Sequence, residues 1–401
     1  MNIKNFPFTP ELKILAKVFL KKGDEIRLVG GCVRNFLMKK PLTDFDIACV
    51  YEPKQVMNML IKAKITAIPT GIKFGTITAI INKIPFEITS LRKDIETDGR
   101  HAEVTYTNKY SEDAERRDFT INALYLDFEG NIYDYFNGLD DIKKGIIKFI
   151  QNPEQRIKED YLRILRFFRF YCYYGFTLDK DSLKACAKLR KNLNKLSAER
   201  IKVEMFKILK VVYSLKTLKI MQDNDILQQV VNTEFDLEIL ETFASIKDLI
   251  KYDLDTCFIL SLLLEQKKDS LKILEYLKIN WKLSNKEYYS ILFLLTEKLQ
   301  IDNIDQIKEK LFYVNNKDKV IQLLLINFLY SKKINKIEVQ KINDLIKFIE
   351  EYKIPEFPVN GNDLLKLGKE GRELGEALSK LKKVWVESDY KLNKQELLSS
   401  L

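Results

Sequence analysis

The sequence predicts an α+β N-terminal head, a mixed sheet with flanking helices, followed by an all-α remainder. Three observations carry that prediction. Strand-like patterns are confined to roughly the first 150 residues, where "FGTITAIINKIPFEITSLR" alternates apolar and polar side chains. From about 153 to 350 the pattern becomes long helical periodicity in Leu, Ile and Lys, with few glycines or prolines. Near "KIPEFPVNGND" Pro355 and Pro358 interrupt it, and a helical end piece with Gly361, Gly368, Gly371 and Gly375 follows. The 401 residues exceed one ordinary core, so about two to four domains are expected. The breaks place them at 1–150, 151–215, 216–350 and 351–401.

Taken in order, residues 26–31 read as a short buried strand ending in Gly30-Gly31, and 32–40 as a short helix that Pro41 stops. "TDFDIACV" reads as a second strand, and Asn82-Lys83 as the turn of a β-hairpin. "DIETDGRHAEVTYTN" is polar and contains glycine, so it reads as a mobile loop. "SEDAERRDFTINALYLD" starts helically and runs into a strand. "EDYLRILRFFRFYCYYGF" and "SAERIKVEMFKILKVVYS" read as the first two helices of the remainder. There is no internal repeat and no low-complexity tract.

Composition excludes several classes. Hydrophobic residues make up 46%, ample for a packed core. No run of about 18 apolar residues is present, so no membrane span is expected. The N-terminus lacks a signal-peptide layout and is neither Arg- nor Ser-rich as a transit peptide would be. Cys32, Cys49, Cys172, Cys186 and Cys257 are scattered, and with a single histidine no Cys/His zinc site can be assembled. A reducing cytoplasm is the expected location. The net charge of +10 and pI of about 9.0 fit either a lysine-rich solubility surface or a polyanionic partner.

The chemistry concentrates in "LVGGCVRNFLMKKPLTDFDIA". If Asp44 and Asp46 lie on a strand, both carboxylates point to one face, about 7 Å apart, with Phe45 toward the core. Such a pair can hold Mg²⁺, which takes oxygen ligands and keeps substrate phosphates in its shell. Two ions about 4 Å apart can clamp an in-line nucleotidyl displacement. The alternative is two solvated acids on an edge strand. Gly30-Gly31 lets a backbone approach a phosphate, and Arg34 in the following helix can grip a phosphate oxygen. Glu87, in "PFEITS", is a candidate third carboxylate or a surface acid.

With these motifs in view, the chain resembles the nucleotidyltransferases of the polymerase-β superfamily, in the tRNA nucleotidyltransferase/poly(A) polymerase branch. "PTGIKFGTIT…FEITSLRKDIETDGRHAEV", "EDAERRDFTINALYLD", "DYFNGLDDI" and "RIKEDYLRILRFFRF" follow in order and resemble the class II CCA-adding enzymes, the bacterial and mitochondrial type. The match is strongest over about 25–210, and "PVNGNDLLKLGKEGRELGEALSKLKKVW" is also similar to that family's C-terminus. The resemblance implies a polymerase-β-like head, a base-selecting neck, and a body and tail that bind tRNA. It implies that Gly31 and Arg34 bind the triphosphate and that Asp44 and Asp46 bind Mg²⁺. Arg117 and Asp118 would contact the nucleotide, with Arg116 a weaker candidate. Asp160 and Arg163, three apart and on one face if the helix is continuous, would hydrogen-bond the incoming base, with Arg166 and Arg169 joining nucleotide binding. On spacing alone the first two would be a surface ion pair. His101 lies in the loop that the resemblance links to the switch from C to A.

Two positions depart from the family pattern. Asn35 stands where aspartate is usual and Phe74 where histidine is frequent. The expected activity is CCA addition to tRNA from CTP and ATP with release of pyrophosphate. The alternatives are a poly(A) polymerase, an enzyme adding only CC or only A, and an inactive RNA-binding module. No membrane and no protein partner are expected.

Overall fold

The computed structural model describes residues 2–3, 5–20, 26–42, 44–94, 104–210, 214–265, 267–331 and 334–401. The chain forms two compact units, Met1–Phe235 with Glu275–Leu283, and Asp236–Leu274 with Ser284–Leu401.

The first unit opens with α1 (Pro10–Phe19), where Thr9 caps the helix by accepting the Leu12 N–H and Pro10 occupies the first turn. Then come β1 (Ile26–Val29), α2 (Gly31–Leu37), β2 (Asp46–Cys49), α3 (Pro53–Lys62), β3 (Thr66–Gly71), β4 (Thr76–Ile81) and β5 (Ile84–Ser90). The ribbon strands β6 (Arg92–Asp94) and β7 (Val104–Tyr106) precede α4 (Tyr110–Glu115), β8 (Leu124–Leu126), β9 (Ile132–Asp134), α5 (Gly138–Lys144) and β10 (Ile146–Ile147). A seven-stranded mixed sheet results, in the order β3-β4-β5-β2-β1-β8-β9, with β2 parallel to β5. It is covered on both faces. Ile26, Leu28, Ile47 and Ile88 pack with Leu12, Leu15, Phe19, Val33, Val56 and Leu60. Val29 and Ala48 face the other way, toward Leu91, Tyr110, Tyr125 and Ile150. Two covered faces explain why all four residues of β1 are buried, Arg27 included.

The hairpin turn falls where expected. Asn82 and Lys83 both take left-handed backbone angles, φ 50° and 67°, which suits a two-residue turn between twisted strands. One strand is unforeseen and one expectation needs correction. β3 is an added strand: it lies at the sheet edge, mostly exposed, with Pro69 inside it, so no alternation announces it. The segment expected to be a loop starts and ends in strands, since β6 and β7 pair from Arg92↔Tyr106 to Asp94↔Val104. Residues 95–103 between them, His101 included, lie outside the described residues.

Helical structure then dominates, with α6 (Pro153–Glu159), α7 (Leu162–Tyr174), the short β11 (Thr177–Leu178) beside β10, α8 (Lys180–Leu189), α9 (Ala198–Leu209), α10 (Ser214–Asp223) and α11 (Ile226–Val231). Glu275–Leu283 completes this unit: Trp281 is fully buried and donates its indole N–H to the Val230 carbonyl at 2.8 Å.

The second unit is helical. Thr256–Leu264 is buried nearly all round, as its uniformly apolar sequence requires. Val359, Leu364, Leu381, Trp385 and Leu397 form a C-terminal cluster on which Phe312 and Phe357 pack. Among the described residues no helix is long and apolar enough to cross a membrane.

Candidate active site

β1 delivers the chain to Gly30, whose backbone angles (φ 72°, ψ −117°) disfavour any residue with a Cβ. The constraint is the backbone and not crowding, since an added Cβ would meet Arg117 Nη1 at 3.5 Å and the Asn122 carbonyl at 3.6 Å in ordinary contact. This turn starts α2 at Gly31. Cys32 behind it is buried, and burial, with the nearby Asp46 charge, pushes its thiol up to about 12, so it is a packing residue and no nucleophile.

Arg34 is buried rather than open at the helix start. Its guanidinium donates to the amide oxygen of Asn122, and through Nε and Nη2 to Asn35 Oδ1 at 3.3 and 3.0 Å. The rings of Phe170 and Tyr174 lie 5.1 and 4.9 Å from it. Burial lowers its pKa, with the charges of Tyr174 and Asp118 acting against that shift. Among the described residues Arg34 makes no ion pair, so a desolvated cation is held by neutral amides and aromatic rings. That is an environment an anionic ligand would relieve. Asn35 keeps the link that an aspartate would make. It accepts from Arg34 and from the Tyr174 hydroxyl at 3.0 Å and donates to the Pro41 carbonyl at 3.2 Å, without adding a negative charge.

The acids gather beside this turn. Asp46 opens β2 and stands opposite Glu87 of β5 in the parallel register. Asp44 precedes the strand, so the expectation of two aspartates on one strand face is corrected: only Asp46 belongs to β2. Phe45 still turns inward, against Phe86 at 6.3 Å between ring centres. The Asp46 carboxyl is raised above the ordinary carboxylate range, first by desolvation and then by the charges of Glu87 and Asp44, while Arg117 and Arg34 oppose the shift. Three carboxylates therefore interact electrostatically within one small region. Among the described residues no group of three or more metal-ligating side chains forms a ready-made cage. An open set of this kind fits Mg²⁺, which usually takes one or two carboxylates and completes its shell with water and substrate phosphates.

"ERRD" is organised around one buried acid. Asp113 of α4, 1% exposed, receives Arg116 Nε at 2.8 Å, Arg117 Nη2 at 3.1 Å and the Tyr125 hydroxyl at 2.7 Å. Desolvation acts against its charge, but the two guanidiniums and the hydroxyl win and hold it at about 2. For Arg117 burial acts downward, and Tyr125 and Asp113 outweigh it, so its pKa is raised and its charge is secure. Asp118, also buried, binds the Asn122 amide at 2.8 Å and Arg166 Nε at 2.8 Å. Desolvation is again overcome, chiefly by Arg166, and its carboxyl lies well below the usual range. "DYFNGLDDI" braces this turn. Asp134 accepts the Gly138 and Leu139 N–H groups at 2.9 Å each, and a Cβ on Gly138 would collide with the Thr120 carbonyl.

In α6 and α7 the expectation of one continuous helix is corrected. Asp160 is extended (φ −154°, ψ 104°) between the two helices, where its Oδ1 accepts the Leu162 N–H at 3.1 Å. Asp160 and Arg163 do not pair as a surface ion pair. Arg200 Nη2 holds Asp160 at 2.7 Å, whereas Arg163 binds Glu159 at 2.8 Å and the Arg116 carbonyl at 2.8 Å. Arg166 reaches Asp118, and Arg169 binds Glu204 at 2.5 Å. Ile164, Leu165 and Phe168 on α7 are buried.

The structure thus brings Gly31, Arg34, Arg117, Asp118, Arg166 and Arg169 around one turn, and Asp44, Asp46 and Glu87 beside it. Asp160 and Arg163 are engaged with other partners. Sequence reasoning missed Asp113, Asn122, Glu159, Arg200 and Glu204. Arg200 and Glu204 stand four apart in "SAERIKVEMF", a spacing that puts both on one face of α9 and could have singled them out.

Comparison with known proteins points the same way. Residues 26–148 match the family described as "Poly A polymerase head domain", and residues 175–234 match "Probable RNA and SrmB- binding site of polymerase A". The human "CCA tRNA nucleotidyltransferase 1, mitochondrial" is 35% identical over 411 residues, spanning 98% of this chain and 90% of that protein. The "CCA-adding enzyme" of Oceanobacillus iheyensis is 38% identical over 226 residues, 56% of this chain and 55% of that one. The crystal structure of Bacillus stearothermophilus CCA-adding enzyme in complex with CTP superimposes with a TM-score of 0.78 at 25% identity, covering 98% of this chain and 96% of that one. Near-full-length likeness in sequence joins the buried arginine, the three acids and the mixed sheet to a single conclusion: the chain belongs to the CCA tRNA nucleotidyltransferase family.

Proposed function

We propose that this protein adds CCA to the 3′ end of tRNA, from CTP and ATP and without a nucleic-acid template. The terminal 3′ oxygen forms a bond to the α-phosphorus of the nucleotide, the bridging bond to the β-phosphate breaks, and pyrophosphate leaves. The hydroxyl proton passes to a carboxylate of the Asp44, Asp46 and Glu87 set. The observation that carries the reading is the juxtaposition of a buried guanidinium that makes no ion pair among the described residues with Asp46, whose carboxyl is raised by burial and by the charges of Glu87 and Asp44, beside the Gly30-Gly31 turn.

Divalent-metal use is general among such nucleotidyltransferases. Here Asp44 and Asp46 would hold Mg²⁺, with Glu87 adjoining. When bound, the ion supplies charge neutralisation at the α-phosphate and favours the ionised attacking oxygen. Gly31 allows the triphosphate to approach the backbone, and Arg34 and Arg117 balance its charge. Asp160 and Arg163 select the base by hydrogen bonds, held in orientation by Arg200 and Glu159, and Arg166 and Arg169 keep the neighbouring acids oriented. Residues 1–150 act as the catalytic head and 151–215 as the neck. Residues 216–350 and 351–401 serve as the body and tail that bind tRNA, largely through phosphate contacts. Five free, buried cysteines suit a reducing compartment.

Incorporation of labelled CTP into a tRNA transcript lacking CCA tests the reading. Incorporation that requires Mg²⁺ and is lost in Asp44→Ala, with tRNA affinity near that of the wild type, is the expected result. Full activity in Asp44→Ala would remove the metal-site assignment.

A further inference from the structure

One aromatic and cationic surface beside the site is unused by the roles assigned above. Tyr173, at the C-terminal end of α7, is 49% exposed. It meets Tyr174 edge-on, 4.9 Å between centres at 77°. Lys40, in the turn after α2, places its ammonium 5.6 Å from the Tyr173 ring and 5.7 Å from that of Tyr174. Tyr174 is fixed from behind: its hydroxyl bonds Asn35, and Arg34 lies 4.9 Å over its ring. The patch therefore continues outward from the buried guanidinium, through Tyr174 to Lys40 and the open ring of Tyr173. Lys40 lies on the stretch of chain that leads from α2 to Asp44.

We infer that Tyr173, together with Lys40, is a stacking platform for an unpaired nucleobase near the 3′ end of the RNA acceptor strand. The inference rests on the nucleotidyltransferase reading. An exposed ring offers a face to any base, and a lysine held beside it can meet the flanking phosphate; this combination binds single-stranded nucleic acid without reading its sequence. Such tolerance suits a substrate whose terminal nucleotides change with each addition. Tyr174 and Asn35 are positioning residues, since they fix the platform relative to Arg34.

The test compares steady-state kinetics of the full chain with Tyr173→Ala, Tyr173→Phe and Lys40→Gln, varying tRNA and CTP separately. Tyr173→Ala is expected to raise the KM for tRNA at least about fivefold. The KM for CTP should stay unchanged. Tyr173→Phe should restore the KM for tRNA, and Lys40→Gln should weaken tRNA binding and flatten its salt dependence. In parallel, 2-aminopurine is placed at each unpaired 3′-terminal position of the transcript. Quenching on binding wild-type protein at one of these positions, and its loss in Tyr173→Ala, is the expected signature. An unchanged KM for tRNA in Tyr173→Ala, a KM for CTP that rises with it, or quenching indifferent to the substitution would overturn the inference. Incorporation by the wild-type protein separates this failure from failure of the nucleotidyltransferase reading, because the platform can be refuted while the activity stands.

Discussion

Asp46 shows what a site demands of a single residue. Desolvation and the charges of Glu87 and Asp44 disfavour its carboxylate more than Arg117 and Arg34 favour it, so the fold gains no stability from that charge. Asp46 is exposed at the start of β2, where solvent screens these interactions, so Asp46→Asn is expected to abolish incorporation and leave the metal-free melting midpoint unchanged or slightly raised. Differential scanning fluorimetry in EDTA reads this directly, and a lowered midpoint would mean that Asp46 is held by favourable contacts instead. Asp160 poses the opposite problem. Arg200 occupies its Oδ2, so the base selection proposed for Asp160 depends on a partner 40 positions further on in sequence. Asp160→Ala should impair the choice between CTP and ATP more than it impairs tRNA binding. Arg200→Ala should reduce that discrimination about tenfold, the scale of one charge-assisted hydrogen bond. Unaltered nucleotide choice in both variants, measured by competition between the two nucleotides, would remove the base-selecting assignment.

At the scale of elements, α4 is a short helix whose main task is to carry Asp113 beneath two arginines. The carboxyl lies at about 2 in the folded protein against an ordinary 3.8, so the unfolded chain binds the proton more readily. Stability from this acid is complete above about pH 4 and is lost as pH falls toward 2, by about 2 kcal/mol. The stability difference between wild type and Asp113→Asn should accordingly be flat from pH 7 to pH 4 and shrink below, as read by denaturant titration. A difference that grew on acidification would contradict it. Elements also divide what was legible in the sequence from what was not. The Gly30-Gly31 turn, the Asn82-Lys83 hairpin and the buried row on α7 are local patterns, and each is visible in a few residues. The break at Asp160 is hidden because Glu159 to Tyr174 is apolar-periodic throughout, and nothing local marks the extended residue. The partners of Asp160, Arg163 and Arg169 are chosen by packing between distant segments, which spacing alone does not encode. The strand β3 is hidden for a similar reason, since one hydrogen-bonded edge suffices to hold an exposed strand.

At the scale of the molecule, the first unit is built from discontinuous chain. Trp281 returns from a later segment to fill a space beside Val230 and Phe206. Trp281→Ala is expected to destabilise this unit by about 3–5 kcal/mol, measured by urea unfolding. A chain ending at Phe235 should lose the same packing. The net charge of +10 sets the other global property: tRNA affinity should fall steeply with salt, as phosphate contacts require. The most direct test of the whole account is a tailing assay. Purified protein with Mg²⁺, CTP and ATP is given tRNA transcripts ending before CCA, after C and after CC, and the 3′ ends are sequenced. Conversion of all three to CCA, and a stop there, is the predicted result. Arrest at CC, action only on the CC-ended transcript, a long A tail or no incorporation would contradict it.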